Sequence, residues 1–215
     1  MRKNFLIAPD GFIFIAPLLA LFLIAVYLHA GIIAGILLLL LAFVVWFFRN
    51  PSRHIPTAED AIVSPADGLV IKIAEEEEND FLREKCQVVC IFMNVFNVHV
   101  NRNIVSGIVE AVKYHPGKFL VASLDKASSL NERNSVLIKH NNGMRFVVVQ
   151  IAGLVARRIA CWIKEGDTLV KGERFGLIRF GSRLDIYLPL NIEVSVKIGD
   201  KVCAGTSIIG RLNND

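Results

Sequence analysis

Asp67, His99 and Ser182 are the side chains with which chemistry could be built in this 215-residue chain. Asp67 lies in Ser64-Pro65-Ala66-Asp67-Gly68 and His99 in Asn97-Val98-His99-Val100-Asn101-Arg102. Ser182 lies in Arg179-Phe180-Gly181-Ser182-Arg183-Leu184-Asp185. Taken singly, each has an ordinary explanation. An acid between Pro and Gly is a turn residue, a His among alternating apolar residues is a satisfied core histidine, and a Gly-Ser step is a turn. Taken together they form a base relay, in which the carboxylate orients the imidazole and the imidazole takes the hydroxyl proton. Gly181 leaves its own carbonyl sterically open to the next residue. A Ser182 hydroxyl attacking that carbonyl converts the peptide bond to an ester. β-Elimination then cuts the chain, and hydrolysis of the resulting dehydroalanine leaves a pyruvoyl group, a carbonyl cofactor made from the chain itself.

The elements that must position these residues read mainly as β. Short apolar or alternating runs at 69–74, 87–93, 104–114, 136–140, 144–151, 157–163, 184–188 and 192–198 predict strands. Asn141-Asn142-Gly143 between two such runs predicts a hairpin, because Asn-Gly tolerates the positive φ of a tight turn. The acidic run 75–80 (EEEEND) reads as a solvated loop. The stretch 127–133 has room for one helical turn. A repeat is visible: Gly166-Asp167-Thr168-Leu169-Val170-Lys171-Gly172 recurs as Gly199-Asp200-Lys201-Val202-Cys203-Ala204-Gly205. Each copy supplies a turn, an inward apolar residue and a second glycine turn. The pattern resembles the half-motif of lipoyl/biotinyl-type β domains, without their modified lysine. The expected body is an antiparallel β-sandwich or barrel with two such half-motifs.

Hydrophobic residues make up 53% of the chain and mean hydropathy is +0.50. The excess is concentrated at the start, where Arg2, Lys3 and Asp10 are the only formal charges before Arg49. One straight helix over 12–48 would be about 55 Å long against a hydrocarbon core of roughly 30 Å. Tyr27-Leu28-His29-Ala30-Gly31 offers a break, and positive charge at both ends (Arg2 and Lys3; Arg49, Arg53 and His54) favours a membrane hairpin with both termini in the cytoplasm. Residues 1–48 therefore read as a membrane anchor, 49–60 as a linker and 61–215 as the catalytic β domain. The net charge of +4 leaves the body close to neutral, which excludes a strongly basic nucleic-acid surface. Cys86, Cys90, Cys161 and Cys203 show no metal spacing and read as buried reduced thiols of a cytoplasmic-face body.

At SPADG (64–68), FNVHVNR (96–102), YHPGKF (114–119), DKAS…NER (125–133), QIAGLVARRI (150–159) and RFGSRLDIYLP (179–189) the sequence resembles the phosphatidylserine decarboxylases, in their short bacterial and archaeal form. The resemblance covers essentially the whole chain. It implies a self-processing proenzyme, cut between Gly181 and Ser182 into a β-chain (1–181) and an α-chain (182–215) that stay associated. Asp67, His99 and Ser182 would form the processing triad, and Ser182 would become the pyruvoyl group, with neither metal nor PLP. By the family mechanism the serine headgroup forms a Schiff base with that carbonyl, loses carbon dioxide and leaves as phosphatidylethanolamine.

One departure stands out. Longer members carry a second histidine three residues before the triad histidine, and here that position is Phe96. The proton donor is then His99 acting twice, or His115. Ser64 and Asn101 are further candidates for positioning substrate. Arg102, Arg157 and Arg158 are candidates for the substrate phosphate, since Arg suits bidentate recognition; surface charge is the plain alternative. The expected partners are a membrane phospholipid and the bilayer, with a homo-oligomer left open. Competing readings are an archaetidylserine decarboxylase using the same chemistry, a pyruvoyl enzyme for a soluble amino acid, and a membrane-anchored lipoyl-like adaptor without catalysis.

Overall fold

The computed structural model describes residues 5–122, 130–154, 158–179 and 181–212. The chain divides into two units, Met1–Ser52 and Arg53–Asp215.

In the first unit, α1 (Phe12–Tyr27) and α2 (Gly31–Phe47) pack side by side. Leu28 ends α1, and His29 turns the chain with a φ of 56°. The two outer ends are tied by Ala8 N–H to Phe48 O (2.8 Å) and Asn50 N–H to Leu6 O (2.7 Å), so the unit is a closed hairpin. Pro9–Tyr27, which includes the lead-in to α1, is long and apolar enough to cross a membrane, whereas α2 is shorter. Most side chains of both helices are exposed, the pattern of helices that are apolar all round.

The second unit is mainly β and antiparallel. Its strands fall into four groups. The first two are β1 (Ala61–Val63), β2 (Gly68–Glu78), β3 (Glu84–Met93) and β4 (Val100–Arg102), β5 (Gly107–His115), β6 (Arg133–His140). The next are β7 (Arg145–Ala152), β8 (Ile159–Cys161), β9 (Thr168–Leu169), β10 (Arg174–Ile178) and β11 (Ser182–Leu188), β12 (Glu193–Val194), β13 (Lys201–Val202), β14 (Ile208–Arg211). The long sheet has the order β13-β2-β3-β11-β7-β6-β5-β9, and two small sheets have the orders β1-β14-β12 and β4-β10-β8.

These orders describe an approximate internal two-fold. β1 to β3 correspond to β4 to β6, and β7 to β10 correspond to β11 to β14. The glycine turns of the sequence repeat obey it: Gly205 N–H donates to Ser64 O (2.7 Å) and Gly172 N–H to Asn103 O (2.8 Å). Both glycines have positive φ, 72° and 76°, which disfavours any side chain there. The visible repeat marks one part of this two-fold; the segments it bonds, Ser64–Asp67 and Asn103–Ser106, differ in sequence.

β11 lies between β3 and β7 and is hydrogen-bonded along both edges. Ser182, Leu184, Ile186 and Leu188 share one face of β11, and the three apolar members join a core with Val89, Ile91, Met93, Phe146, Val148 and Ala152. Burying each large aliphatic side chain contributes about 1.5–3 kcal/mol. Arg183, Asp185 and Tyr187 take the opposite face, against Val147, Val149 and Ile151.

Two sequence expectations change. The acidic run is not a loop: β2 continues through it to Glu78, paired with β3 as far as Glu84. Glu78 is buried because its carboxylate accepts the N–H groups of Asp80, Phe81 and Leu82 at 2.9, 2.9 and 2.7 Å, and so closes the hairpin turn. Of the cysteines, Cys86 and Cys90 are buried, but Cys161 is half-buried and Cys203 exposed. The Asn-Gly hairpin forms as expected, joining β6 to β7 with Gly143 at φ 90°. Arg133 begins β6; the rest of the expected helical turn before Leu130 lies outside the described residues.

Candidate active site

The start of β11 and the ends of β3 and β7 meet at one edge of the long sheet, with Ser182 opposite Met93 and Ala152. By the internal two-fold, Met93 and Ser182 stand where His140 and Met144 stand in the other half. There a tight turn closes the hairpin, with His140 N–H on Met144 O at 2.9 Å. Here β3 leaves toward His99 and the chain arrives from β10, so the equivalent hairpin end is open and its last residues are Gly181 and Ser182.

His99 is fully buried and reaches this opening. Its Nε2 accepts the Gly181 N–H at 3.2 Å, and its Nδ1 lies 3.0 Å from Asn97 O. A carbonyl oxygen only accepts, so the Nδ1 nitrogen carries the proton and the Nε2 lone pair receives the Gly181 N–H. The imidazole is therefore neutral, with its basic nitrogen next to the Gly181–Ser182 peptide. Gly181 has a φ of 74°, an arrangement that a side chain would strain. The Ser182 hydroxyl is fully buried on the core face, 3.4 Å from Met93 Sδ.

Gly153, just past β7, packs on the Gly181 carbonyl: a Cβ there would collide with the Gly181 oxygen and approach Ala122. Asn131 fixes this junction. Its amide donates to Leu120 O and Ala152 O (both 2.8 Å), and its carbonyl accepts Leu120 N–H (2.9 Å). Gly153→Ala is expected to displace the Gly181 carbonyl and loosen the start of β11, and a lowered Tm in thermal unfolding measures it.

The structure does not bring every sequence candidate to this place. Asp67 Oδ2 accepts Arg53 at 2.6 Å and Oδ1 accepts Ala204 N–H at 2.7 Å. Ala204 N–H on Asp67 mirrors Lys171 N–H on Ser106 Oγ (3.1 Å), the same contact in the other half. Arg53 is half-buried on Asp67. Arg102 is buried three residues from His99, about 10 Å along β4, and donates to Gly172 O at 2.9 Å. Burial, with Arg174 and Arg53 nearby, pulls its pKa down to about 10.

His115 is on the opposite face of the long sheet from Ser182, with Nε2 2.9 Å from Asp80 Oδ1. Burial lowers its pKa despite that carboxylate. As a proton donor at Ser182 it is therefore excluded by position. Ser64 turns back on Ala66 O (2.8 Å). Asn101 lies in a buried amide chain: Asn134 donates to Gln150 Oε1 (3.1 Å) and Gln150 to Asn101 Oδ1 (2.8 Å). Arg158 is exposed beside the site, and Arg157 lies outside the described residues.

One feature of this edge was missed in the sequence. Arg183 and Asp185 form a buried bidentate pair, at 2.5 and 2.7 Å, and Arg183 also donates to Cys90 Sγ at 3.3 Å. Burial opposes the guanidinium charge, but the Asp185 hydrogen bonds and charge outweigh it and raise the Arg183 pKa. Burial and the Asp185 charge push the Cys90 thiol up. The i, i+2 spacing on a strand was the available signal.

The family model described as phosphatidylserine decarboxylase matches residues 40–210. The chain belongs to the phosphatidylserine decarboxylase family. A phosphatidylserine decarboxylase proenzyme of Syntrophus aciditrophicus is 49% identical over 98% of this chain and 99% of its own length. Proenzymes of the same name from Magnetococcus marinus (47% identity; 99% and 98%) and Solidesulfovibrio magneticus (50% identity; 95% of each) align as fully. The family match covers β1 to β13 and both sides of the Gly181–Ser182 bond.

Proposed function

We infer that this member of the family makes its own ketone by cutting itself between Gly181 and Ser182, and then works as a pyruvoyl-dependent decarboxylase of phosphatidylserine. The enzyme class is a decarboxylase on family grounds. The observation that carries the finer reading is the His99 Nε2 lone pair held on Gly181 N–H, at the peptide bond before a buried serine. The Ser182 hydroxyl attacks the Gly181 carbonyl, and His99 takes the hydroxyl proton and returns it to the departing amide nitrogen. Loss of the Ser182 α-proton then breaks the Cβ–O ester bond, leaving a Gly181 carboxylate and a dehydroalanine. Water enters and ammonia leaves to give the ketone.

The site fits that group. The Ser182 side chain is fully buried against Met93, away from bulk water. β11 is held by β3 and β7 along its length, so the new N-terminus stays in place after the cut. When present, the ketone supplies an electron sink for loss of carbon dioxide. His99 is then the base or acid placed to hold a proton at that carbon, since His115 is on the other face. Asp67, ion-paired with Arg53, keeps acceptor sites on its carboxylate through which it would orient His99. The α1–α2 hairpin anchors the enzyme in the bilayer that carries its substrate, with the body on the cytoplasmic face.

His99→Gln keeps the size of the ring position and removes the base. A single uncut band on a denaturing gel is the expected result. Efficient cutting in that variant would remove His99 from the processing chemistry.

A further inference from the structure

Beyond the buried residues, the same edge of the sheet exposes an unusual surface. The loop after β3, the loop between β5 and β6, and the loop after β7 all leave the sheet at the end where β11 begins. Each carries large apolar side chains in the open: Phe96 is 65% exposed, Val121 44%, Leu130 43% and Leu154 59%. They belong together. Gly153, next to Leu154, packs on Gly181 and Ala122, and Asn131, next to Leu130, clasps Leu120 and Ala152. Lys118 and Arg158 are exposed among them, and Lys118 N–H bonds Leu130 O at 2.7 Å. Tyr114, 56% exposed on β5, shares this end and bonds the buried Glu132.

Isolated exposed apolar residues are ordinary, whereas four on three converging loops around one buried reactive serine are not. We propose that Phe96, Val121, Leu130 and Leu154 form a bilayer-docking surface of the body itself and enter the headgroup–acyl boundary of an anionic phospholipid membrane. The inference rests on the decarboxylase reading, because a bilayer lipid is what must reach Ser182. The chemistry matches this occupant. The apolar side chains enter the boundary, a tyrosine sits at its polar level, and each nearby cation is attracted to an anionic surface. Docking in this way lays the end of the sheet that carries Ser182 against the lipid that holds the headgroup.

The test uses the full chain reconstituted in vesicles of phosphatidylglycerol and phosphatidylethanolamine containing brominated acyl chains. Tryptophan is placed at Leu154, at Leu130 or at Leu190, with the unsubstituted chain as background. Leu190 is exposed too, but lies at the opposite end of β11, roughly 25 Å from Ser182. Strong bromine quenching at positions 154 and 130, and none at 190, is the expected result. Equal lack of quenching at all three overturns the proposal, as does a Leu154→Trp signal that is shielded only by a second copy of the chain in cross-linking. Quenching needs no turnover, so loss of activity with quenching intact would count against the decarboxylase reading alone. A Leu130→Ser/Leu154→Ser chain should lose about tenfold in kcat/KM on vesicles and keep its rate on dispersed short-chain phosphatidylserine. Equal loss on both substrates would also overturn the proposal.

Discussion

Ser182→Ala should give a chain that stays whole and decarboxylates nothing. Without the hydroxyl no ester forms at Gly181, so neither the cut nor the ketone follows. The loss expected in turnover is at least about four orders of magnitude, the scale of removing a covalent centre outright. The fold should survive. Ser182 makes one weak contact, to Met93 Sδ at 3.4 Å, and its backbone remains paired with β3 and β7. A folded, uncut and inactive protein by circular dichroism, gel and carbon dioxide release is the expected outcome. Activity in the uncut variant would mean that the carbonyl chemistry lies elsewhere.

Arg183→Met should produce the largest change in stability. Arg183 and Asp185 are each 1% exposed and bonded twice to one another, and Cys90 is a further partner of the guanidinium. Removing one partner leaves Asp185 buried and uncompensated, which costs about 3–5 kcal/mol. For a chain of this size that lowers Tm on the order of 10 °C. Removing both, as Arg183→Met with Asp185→Leu, should recover most of the loss, because paired apolar replacements avoid the orphaned charge. Thermal unfolding of the single and double variants reads the difference. After cleavage Arg183 is the second residue of the new chain, so the single variant should also leave the new terminus less firmly held. If the double variant is as unstable as the single one, the pair contributes more than charge compensation.

The meeting of His99 with the Gly181–Ser182 step was legible where residue type and local pattern coincide. Ser182 begins an alternating strand, His99 immediately precedes β4, and the Gly181-Ser182 step sets a hydroxyl after an open carbonyl. The strand at Glu75–Glu78 was illegible because four consecutive acids mimic a solvated loop. Only tertiary pairing with β3, and the three N–H groups gathered by Glu78, make it a strand. The repeat was seen in its conserved half, at Gly166–Gly172 and Gly199–Gly205, where positive φ demands glycine. Its other half was hidden, because Ser64–Asp67 and Asn103–Ser106 do the same work with different side chains. Asp67 was read for its chemistry, yet its partners, Arg53 and Ala204 N–H, come from a linker and a turn distant in sequence. His115 looked suitable by type; which face of the sheet it occupies depends on the register of β5 on β6, with its bulge after Val109.

The most direct test of the whole account is the intact mass of freshly purified protein. Two chains should be found, one ending at Gly181 and one spanning 182–215. The smaller should be about 17 Da lighter than a chain beginning with an ordinary serine, as conversion of that residue to a ketone requires. A single unbroken chain of full mass that nevertheless releases carbon dioxide from phosphatidylserine would contradict it.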